Sequence, residues 1–391
     1  MRIMIVTEVF PPGMGGVPVF IDRLATQLAQ AGDDVMVVTG SATFQMTTKT
    51  TTLPSGVTVV RVPAVASPIN PGNNRMTYNP FSGVKKAFDD FRPDCVHMHT
   101  PAGLLHQAAL RQARRRDVPV VITNHVMPEN LALNLPAWAR GVATRLTRRS
   151  TIGFINKTDY LVAPTQTALD LLGPTVSVPK MAITCGVDTA MYHPGKVDPA
   201  VLKKYGIDPH KKLLLFLGRL DGEKRIDLLI QAFPGIIRDH PDVQLAIIGK
   251  GLLVDELTAQ ARAVDPDNII FVGPCSDNDK IRLLHSATLF MMPSPAELQC
   301  IAALEALACE LPVVAADQAA LRELVQPGKN GQMFAYPDTA DLARVVGQLL
   351  DHPIASATLT KHSREWVLAH HDQLVSVREH QKLFASLTKT R

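Results

Sequence analysis

Residues 213–249 read LLLFLGRLDGEKRIDLLIQAFPGIIRDHPDVQLAIIG. The apolar run LLLFLG (213–218) is closed by Gly218 and reads as a strand buried on both faces. A charged turn follows, and then helical spacing of apolar residues over 227–239. A second apolar run, VQLAIIG (243–249), completes a strand–helix–strand unit. Alternation of this kind implies parallel sheets with helices on both faces.

The same pattern continues in both directions. Downstream lie NIIFVG (268–273), TLFMMP (288–293) and LPVVAAD (311–317), separated by helical segments at 252–264 and 302–308. Upstream lie IMIV (3–6), VMVV (35–38), VTVV (57–60), CVHM (95–98), VPVVIT (118–123) and YLVAP (160–164), with a helical pattern at 18–31. Residues 188–210, rich in Pro, Gly, Tyr and charge, read as a linker. The expected organisation is an N-terminal Rossmann-like domain over 1–190, a C-terminal domain over 191–370, and a terminal helix over 371–391 that packs back on the first domain. Ligands of open α/β sheets bind at the carboxyl ends of the strands, so the cleft of two facing domains is the expected site.

Composition excludes several classes. The chain has 391 residues, 46% hydrophobic and 19% charged, with no stretch of the ~20 apolar residues that span a bilayer. The apolar start of MRIMIVTEVF is too short for a signal-peptide core, which makes the cytoplasm the expected compartment. Five cysteines are widely spaced and form no C-x-x-C, so a disulfide framework or zinc site is not expected. A net charge of +4 is far from that of a nucleic-acid binder. Basic residues nevertheless cluster in the first half, at Arg111, Arg114, Arg115 and Arg116 and at Arg140, Arg145, Arg148 and Arg149.

Four stretches after strands can carry chemistry. Gly13-Met14-Gly15-Gly16 precedes a helix, where glycines and unpaired N–H groups admit an anion; the stretch is equally a plain strand–helix turn. It is not G-x-G-x-x-G, which disfavours a dinucleotide fingerprint and a lactate-type oxidoreductase. In Gly218-Arg219-Leu220-Asp221-Gly222-Glu223-Lys224-Arg225, Arg219 and Lys224 can neutralise a diphosphate or simply form a solvated turn. In Ser294-Pro-Ala-Glu297-Leu-Gln-Cys-Ile-Ala-Ala-Leu-Glu305, the two glutamates stand eight positions apart. Glu297 is expected on the loop and Glu305 one to two turns inside a helix, both able to accept from sugar or ribose hydroxyls. Thr123-Asn124-His125 ends a strand, where His125 can bond a hydroxyl near a reacting centre. His97-Met98-His99 puts two imidazoles on one strand face without an evident third ligand, and Asp265-Pro-Asp267 reads as a loop rather than a metal motif.

In order and spacing these residues resemble the retaining GT-B glycosyltransferases of family 4. The resemblance rests on the N-terminal Gly-Gly loop, the first-domain histidine, GRLDGEKRID, SPAELQ, ALEALA, PVVAAD and PGKNG, and covers nearly the whole chain. It implies an α/β GT-B fold of two Rossmann-like parallel-sheet domains facing a central cleft. It implies that Arg219 and Lys224 bind the donor diphosphate, Glu305 the ribose and Glu297 the donor sugar. Gln299, Cys300 and Ile301 would hold sugar and phosphate through backbone groups. Gly15 and Gly16 would approach the phosphate, and His125 the donor hydroxyls. The implied chemistry is transfer of a hexose from a nucleoside diphosphate sugar to a hydroxyl with retention and without a metal or other cofactor. UDP-glucose heads the donors, and GDP-mannose follows. Three positions depart from the family pattern: Cys300 and Glu310 stand where Gly is common, and Cys185 where Asn is.

The acceptor reading starts from WARGVATRLTRR (138–149). On a wheel Trp138, Val142 and Leu146 recur every fourth residue, while Arg140, Arg145, Arg148 and Arg149 fill the other side. Such a surface suits anionic lipid headgroups, though an ordinary packed helix with a solvated basic face has the same pattern. Similar sequences resemble lipid glycosyltransferases, which makes a membrane lipid such as diacylglycerol the expected acceptor. Peripheral attachment to the inner face of the cell membrane would follow. The alternatives are a nucleotide-sugar epimerase of the same fold and a non-catalytic nucleotide-sugar binding module.

Overall fold

The computed structural model describes residues 1–13, 16–43, 45–66, 75–100, 103–127 and 137–389, excepting the side chains of 66, 75, 137–140 and 353–361. The chain divides into two units, Met1–Cys185 with Leu374–Arg391, and Gly186–Gln373. Each is described by itself.

The first unit is built on β1 (Arg2–Thr7), β2 (Asp34–Gly40), β3 (Lys49–Thr52), β4 (Thr58–Val62), β5 (Ala64–Ala66), β6 (Arg75–Thr77), β7 (Cys95–His99), β8 (Val120–Thr123), β9 (Tyr160–Ala163) and β10 (Lys180–Ala182). Its main sheet runs β10-β9-β8-β7-β1-β2-β4-β3, parallel except for β3 at the edge. β3 is polar and exposed, KTTT, which explains why no apolar run announces it. The strands β1, β2, β7 and β8 are almost wholly buried, as continuous apolar runs between two helix layers must be. The order reverses between β1 and β7, which makes their carboxyl ends the natural place for a ligand.

The second unit carries β11 (Lys212–Leu217), β12 (Val243–Ile248), β13 (Ile269–Gly273), β14 (Leu289–Met292), β15 (Val313–Ala316) and β16 (Gly331–Phe334). All are parallel, in the order β13-β12-β11-β14-β15-β16. This is a doubly wound sheet whose reversal falls between β11 and β14. The helix Ile226–Asp239 crosses from β11 to β12 and buries Leu228, Leu229, Ile230, Phe233 and Ile236 on the sheet. Residues 188–210, expected as a linker, belong to this unit and carry the helix Pro199–Lys204. Tyr192 among them is fully buried. The helical tail is two helices, Pro353–His370 and Gln373–Lys389, the second joining the first unit from Leu374 onward.

Candidate functional site

In the second unit the chemistry collects where β11 and β14 end. Leaving β11, the backbone of Gly218–Leu220 is approached so closely by the next turn that only glycine fits there. A Cβ on Gly249 would lie 1.8 Å from the Gly218 carbonyl oxygen, and one on Gly251 2.4 Å from the Leu220 backbone. The sequence signal was the G-K-G after β12. A single turn of 3₁₀ helix, Gly222–Lys224, then ends at Arg225, whose φ of 50° redirects the chain into the helix Ile226–Asp239. Arg225 has a local role: its guanidinium grips Asp227 at 2.9 Å and lies over the ring of Tyr336.

Arg219 bonds to Asp221 and Glu223. Lys224 reaches across to the loop after β14 and bonds to Glu297. Burial opposes the Lys224 ammonium, but the carboxylate of Glu297 and its neighbours outweigh that cost and raise its pKa. The loops are tied further by Ser294 Oγ, which donates to the Glu223 carbonyl at 3.1 Å. Glu297 and Glu305 are both buried, at 7% exposure each, although neither carries an apolar side chain. Glu297 sits on the loop and Glu305 on the second turn of the helix Ile301–Ala308. Gln299 is buried too, its amide nitrogen 3.5 Å from His371 Nδ1.

Cys300 caps that helix in the left-handed region, φ 67°, ψ 75°. Glu310, just past the helix, has φ 61°. Both positions where the family favours glycine therefore hold an L-residue in a conformation suited to glycine. Burial pushes the Cys300 thiol well above its ordinary pKa, so it is neutral. Cys185, the third departure, is a buried thiol pushed up to about 12 by the same cause.

Sequence reasoning missed Lys280, on the helix Asp277–Ser286. Its ammonium lies 3.3 Å from Glu305 Oε1, 3.2 Å from Asp277 and 5.0 Å from the centre of the Tyr192 ring. No motif links positions 192, 280 and 305; the sheet order brings them together.

In the first unit the carboxyl ends of β7 and β8 present a set of imidazoles, buried at His97, His99, His106 and His380 and half-buried at His125. His97 and His99 share a face of β7, as their spacing requires. His97 Nε2 bonds Thr123 Oγ1 at 2.7 Å, and His99 Nδ1 bonds His125 Nε2 at 3.0 Å. His106 Nε2 donates to the His99 carbonyl at 3.0 Å. His380 comes from the helix Gln373–Lys389 and stands 5.1 Å from His97, ring centre to ring centre. Burial pushes His97, His99, His125 and His380 down, with repulsion from neighbouring imidazoles adding to it at His97, His99 and His125: His125 falls to about 3, His380 to about 4, and His97 and His99 well below the ordinary value. They are neutral at pH 7, so one of His99 Nδ1 and His125 Nε2 donates and the other accepts. Among the described residues no group of three or more His, Cys, Asp or Glu is arranged to hold a metal ion.

Near His125 the structure brings in Asn124, which is fully buried with neither side-chain polar atom bonded. Glu8, immediately after β1, is a second residue the sequence reading passed over. Burial raises it to about 7, against hydrogen bonds from Thr77. Gly16 opens the helix Gly16–Gln30, and Gly15 lies outside the described residues.

The helix Ala137–Ile155 corrects the wheel reading. Val142 and Leu146 are 65% and 63% exposed, and Arg145 and Arg149 are exposed beside them. The reason is geometric: 142, 145, 146 and 149 are spaced i, i+3, i+4, i+7 and share one strip. Arg148 turns inward and donates to the carbonyls of Leu171 and Leu172 at 2.8 and 2.9 Å. The side chains of Trp138 and Arg140 lie outside the described residues. Among the described residues, no helix is long and apolar enough to cross a membrane. Asp265 and Asp267 form a turn, Asp265 Oδ1 accepting from the backbone of Asp267 and Asn268 at 3.2 and 3.0 Å.

Comparisons with known proteins agree with this architecture. Residues 14–191 match the family described as Glycosyltransferase Family 4, and residues 198–366 match Glycosyl transferases group 1. A glycogen synthase of Mycobacterium tuberculosis is 31% identical over 388 residues, covering 93% of this chain and 90% of that one. The alpha-monoglucosyldiacylglycerol synthase of Streptococcus pneumoniae is 27% identical over 373 residues, covering 93% of this chain and 80% of that one. The Anabaena protein HepE, solved with UDP and glucose, superposes with a TM-score of 0.74 at 17% identity, covering 99% of this chain and 100% of that one. The chain belongs to glycosyltransferase family 4, the glycosyl transferases group 1, and is a glycosyltransferase of the GT-B fold.

Proposed function

We propose that this enzyme moves a hexose from a nucleoside diphosphate sugar to a hydroxyl of a membrane lipid, with retention at the anomeric carbon and without a metal or other cofactor. UDP-glucose is the first donor to test and GDP-mannose the second. One observation carries the reading: Arg219 and Lys224 stand at the reversal point of a doubly wound sheet, each held by carboxylates.

A diphosphate entering there exchanges these carboxylates for its own oxygens. Lys224 passes from Glu297 to phosphate, and Glu297 becomes available to the hydroxyls of the donor sugar. The N–H groups at the start of the helix Ile301–Ala308, with the backbone of Gln299, Cys300 and Ile301, add donors for sugar and phosphate. Gly15 and Gly16 are the glycines proposed to admit phosphate. Stabilising the charge that develops on the leaving diphosphate is the largest contribution to rate. His125, neutral, is a hydrogen-bond partner for a donor hydroxyl rather than a proton source. Glu305 takes the ribose hydroxyls. A leaving-phosphate oxygen accepts the proton of the acceptor hydroxyl on the same face, so no side-chain nucleophile is needed.

The lipid acceptor is supported by the outward strip Val142, Arg145, Leu146 and Arg149, which pairs apolar contact with positive charge. Each arginine near an anionic surface contributes about 1 kcal/mol. The name of the streptococcal relative, a synthase of a glucosyldiacylglycerol, points the same way. Such an enzyme works peripherally on the inner face of the cell membrane.

The test is a donor panel with diacylglycerol-containing vesicles, with and without anionic lipid, reading released nucleoside diphosphate and product mass. Release from UDP-glucose that needs the lipid, with a glycolipid product, is expected. Turnover only with soluble acceptors, and no vesicle binding, contradicts the lipid reading.

A further inference from the structure

Glu305 is a buried carboxylate whose company is unusual. Its Oε1 is 3.3 Å from Lys280 Nζ, and both side chains are largely hidden, at 9% and 16% exposure. Lys280 in turn sits over the ring of Tyr192, which is fully buried, with its ammonium 5.0 Å from the ring centre. Asp277 meets the same ammonium from the solvent side at 3.2 Å, itself 69% exposed. Tyr192 is fixed from behind: Arg364 donates to its carbonyl at 2.9 Å and to the Ala308 carbonyl, at the end of the Glu305 helix, at 2.7 Å.

A buried ion pair of this kind is seldom the most stable filling for its space, since the desolvation cost offsets most of the attraction. What it does provide is a carboxylate with one oxygen occupied and the other restricted in direction. A glutamate side chain left to itself has three rotatable bonds and would give up that orientation on binding a ligand. An oriented carboxylate oxygen discriminates sharply between a ligand that offers a hydroxyl and one that does not.

We propose that Lys280, with the Tyr192 ring beneath it, is a positioning residue that aims Glu305 at the ribose hydroxyls of the donor and so makes the enzyme selective for ribonucleotide over deoxyribonucleotide sugars. The inference rests on the reading that Glu305 takes the ribose.

The experiment is calorimetric titration of the whole chain with UDP and GDP and with their 2′-deoxy counterparts, for wild type, Lys280→Met, Lys280→Arg, Glu305→Gln and the double variant Lys280→Met/Glu305→Gln. Wild type binds the ribonucleotide about tenfold or more tighter than the deoxy form, the size of one hydrogen bond to a charged group. Lys280→Met weakens the ribonucleotide toward the deoxy value and leaves the deoxy value alone; Lys280→Arg restores the ratio. In the Glu305→Gln background, removing Lys280 changes nothing further. The double variant leaves no unpaired buried charge, so it keeps the test readable if Lys280→Met folds poorly. If Glu305→Gln leaves the ribose preference intact, or wild type binds neither ribonucleotide, the ribose reading itself fails. If Glu305→Gln abolishes the preference and Lys280→Met does not, or the arginine variant fails to restore it, the positioning role is wrong.

Discussion

The two units solve one problem by opposite means. Each must keep polar side chains at the carboxyl ends of buried strands. The first does so with neutral groups: His97, His99, His125 and His380 lie in a cluster where desolvation removes their charge. The second uses full charges cancelled in pairs, Arg219 with Asp221 and Glu223, Lys224 with Glu297, Lys280 with Glu305. A neutral imidazole can orient a hydroxyl without attracting an anion. Paired cations can trade their carboxylates for phosphate. On the proposed function, the first unit supplies a neutral hydroxyl partner, His125, and the second the cations for the diphosphate, Arg219 and Lys224, beside the carboxylates that take hydroxyls.

The largest effect that sharpens this contrast is on turnover. Replacing Glu297 with Gln leaves Lys224 without its buried counter-charge and the donor sugar without a carboxylate. It should cost on the order of 10²–10³ in kcat/KM, the scale of a lost electrostatic contact in the transition state. Steady-state kinetics with the donor that the panel selects checks this, and a loss under threefold would remove Glu297 from the site.

Acid should separate the units next. The four histidines have folded pKa values below their unfolded value of 6.5, so the unfolded state binds more protons as pH falls and stability is lost from about 6.5 down to 3–4. Glu8 has the opposite sign. Raised from 4.5 to about 7, it stabilises fully below 4.5 and loses that contribution as pH rises through 7. Each group changes stability by up to about 1.4 kcal/mol per pH unit, so four histidines outweigh one glutamate between pH 6.5 and 4.5. Hydrogen exchange at pH 7 and 5 should show β7, β8 and the helix Gln373–Lys389 losing protection before β11 and β14. Loss in the reverse order would break the comparison. His380→Leu should flatten the acid slope of the first unit alone.

Much of this was legible in the chain. The runs around 213–249 pointed to a parallel sheet, because short apolar runs closed by Gly and alternating with helical spacing read as buried strands. Glu297 and Glu305 were found by their place after the strand at 288–293 and their separation of eight positions. What stayed hidden depends on tertiary neighbours. Lys280 and Tyr192 are far from Glu305 in sequence, and His380 sits in a helix whose apolar residues alone attracted notice. Following every fourth residue alone hides that 142, 145, 146 and 149 are spaced i, i+3, i+4, i+7, which is why Val142 and Leu146 were set apart from Arg145 and Arg149. The departures at Cys300 and Glu310 were visible in sequence, and the structure supplies their cost, a left-handed backbone under a side chain.

That cost gives the smallest prediction, confined to the charged unit. Cys300→Gly should be about 1 kcal/mol more stable than Cys300→Ala, and Glu310→Gly likewise against Glu310→Ala, because glycine alone adopts positive φ without strain. Urea midpoints for the four variants test it. Equal midpoints would mean that neither site is strained.

The decisive measurement is titration of UDP and GDP, beside uridine and guanosine, into wild type and the Arg219→Gln/Lys224→Met variant. If these two cations hold the diphosphate, wild type binds the diphosphate far more tightly than the nucleoside, and the variant binds both equally weakly. A variant that keeps the wild-type preference for the diphosphate would place the anion elsewhere and contradict the assignment of the second unit.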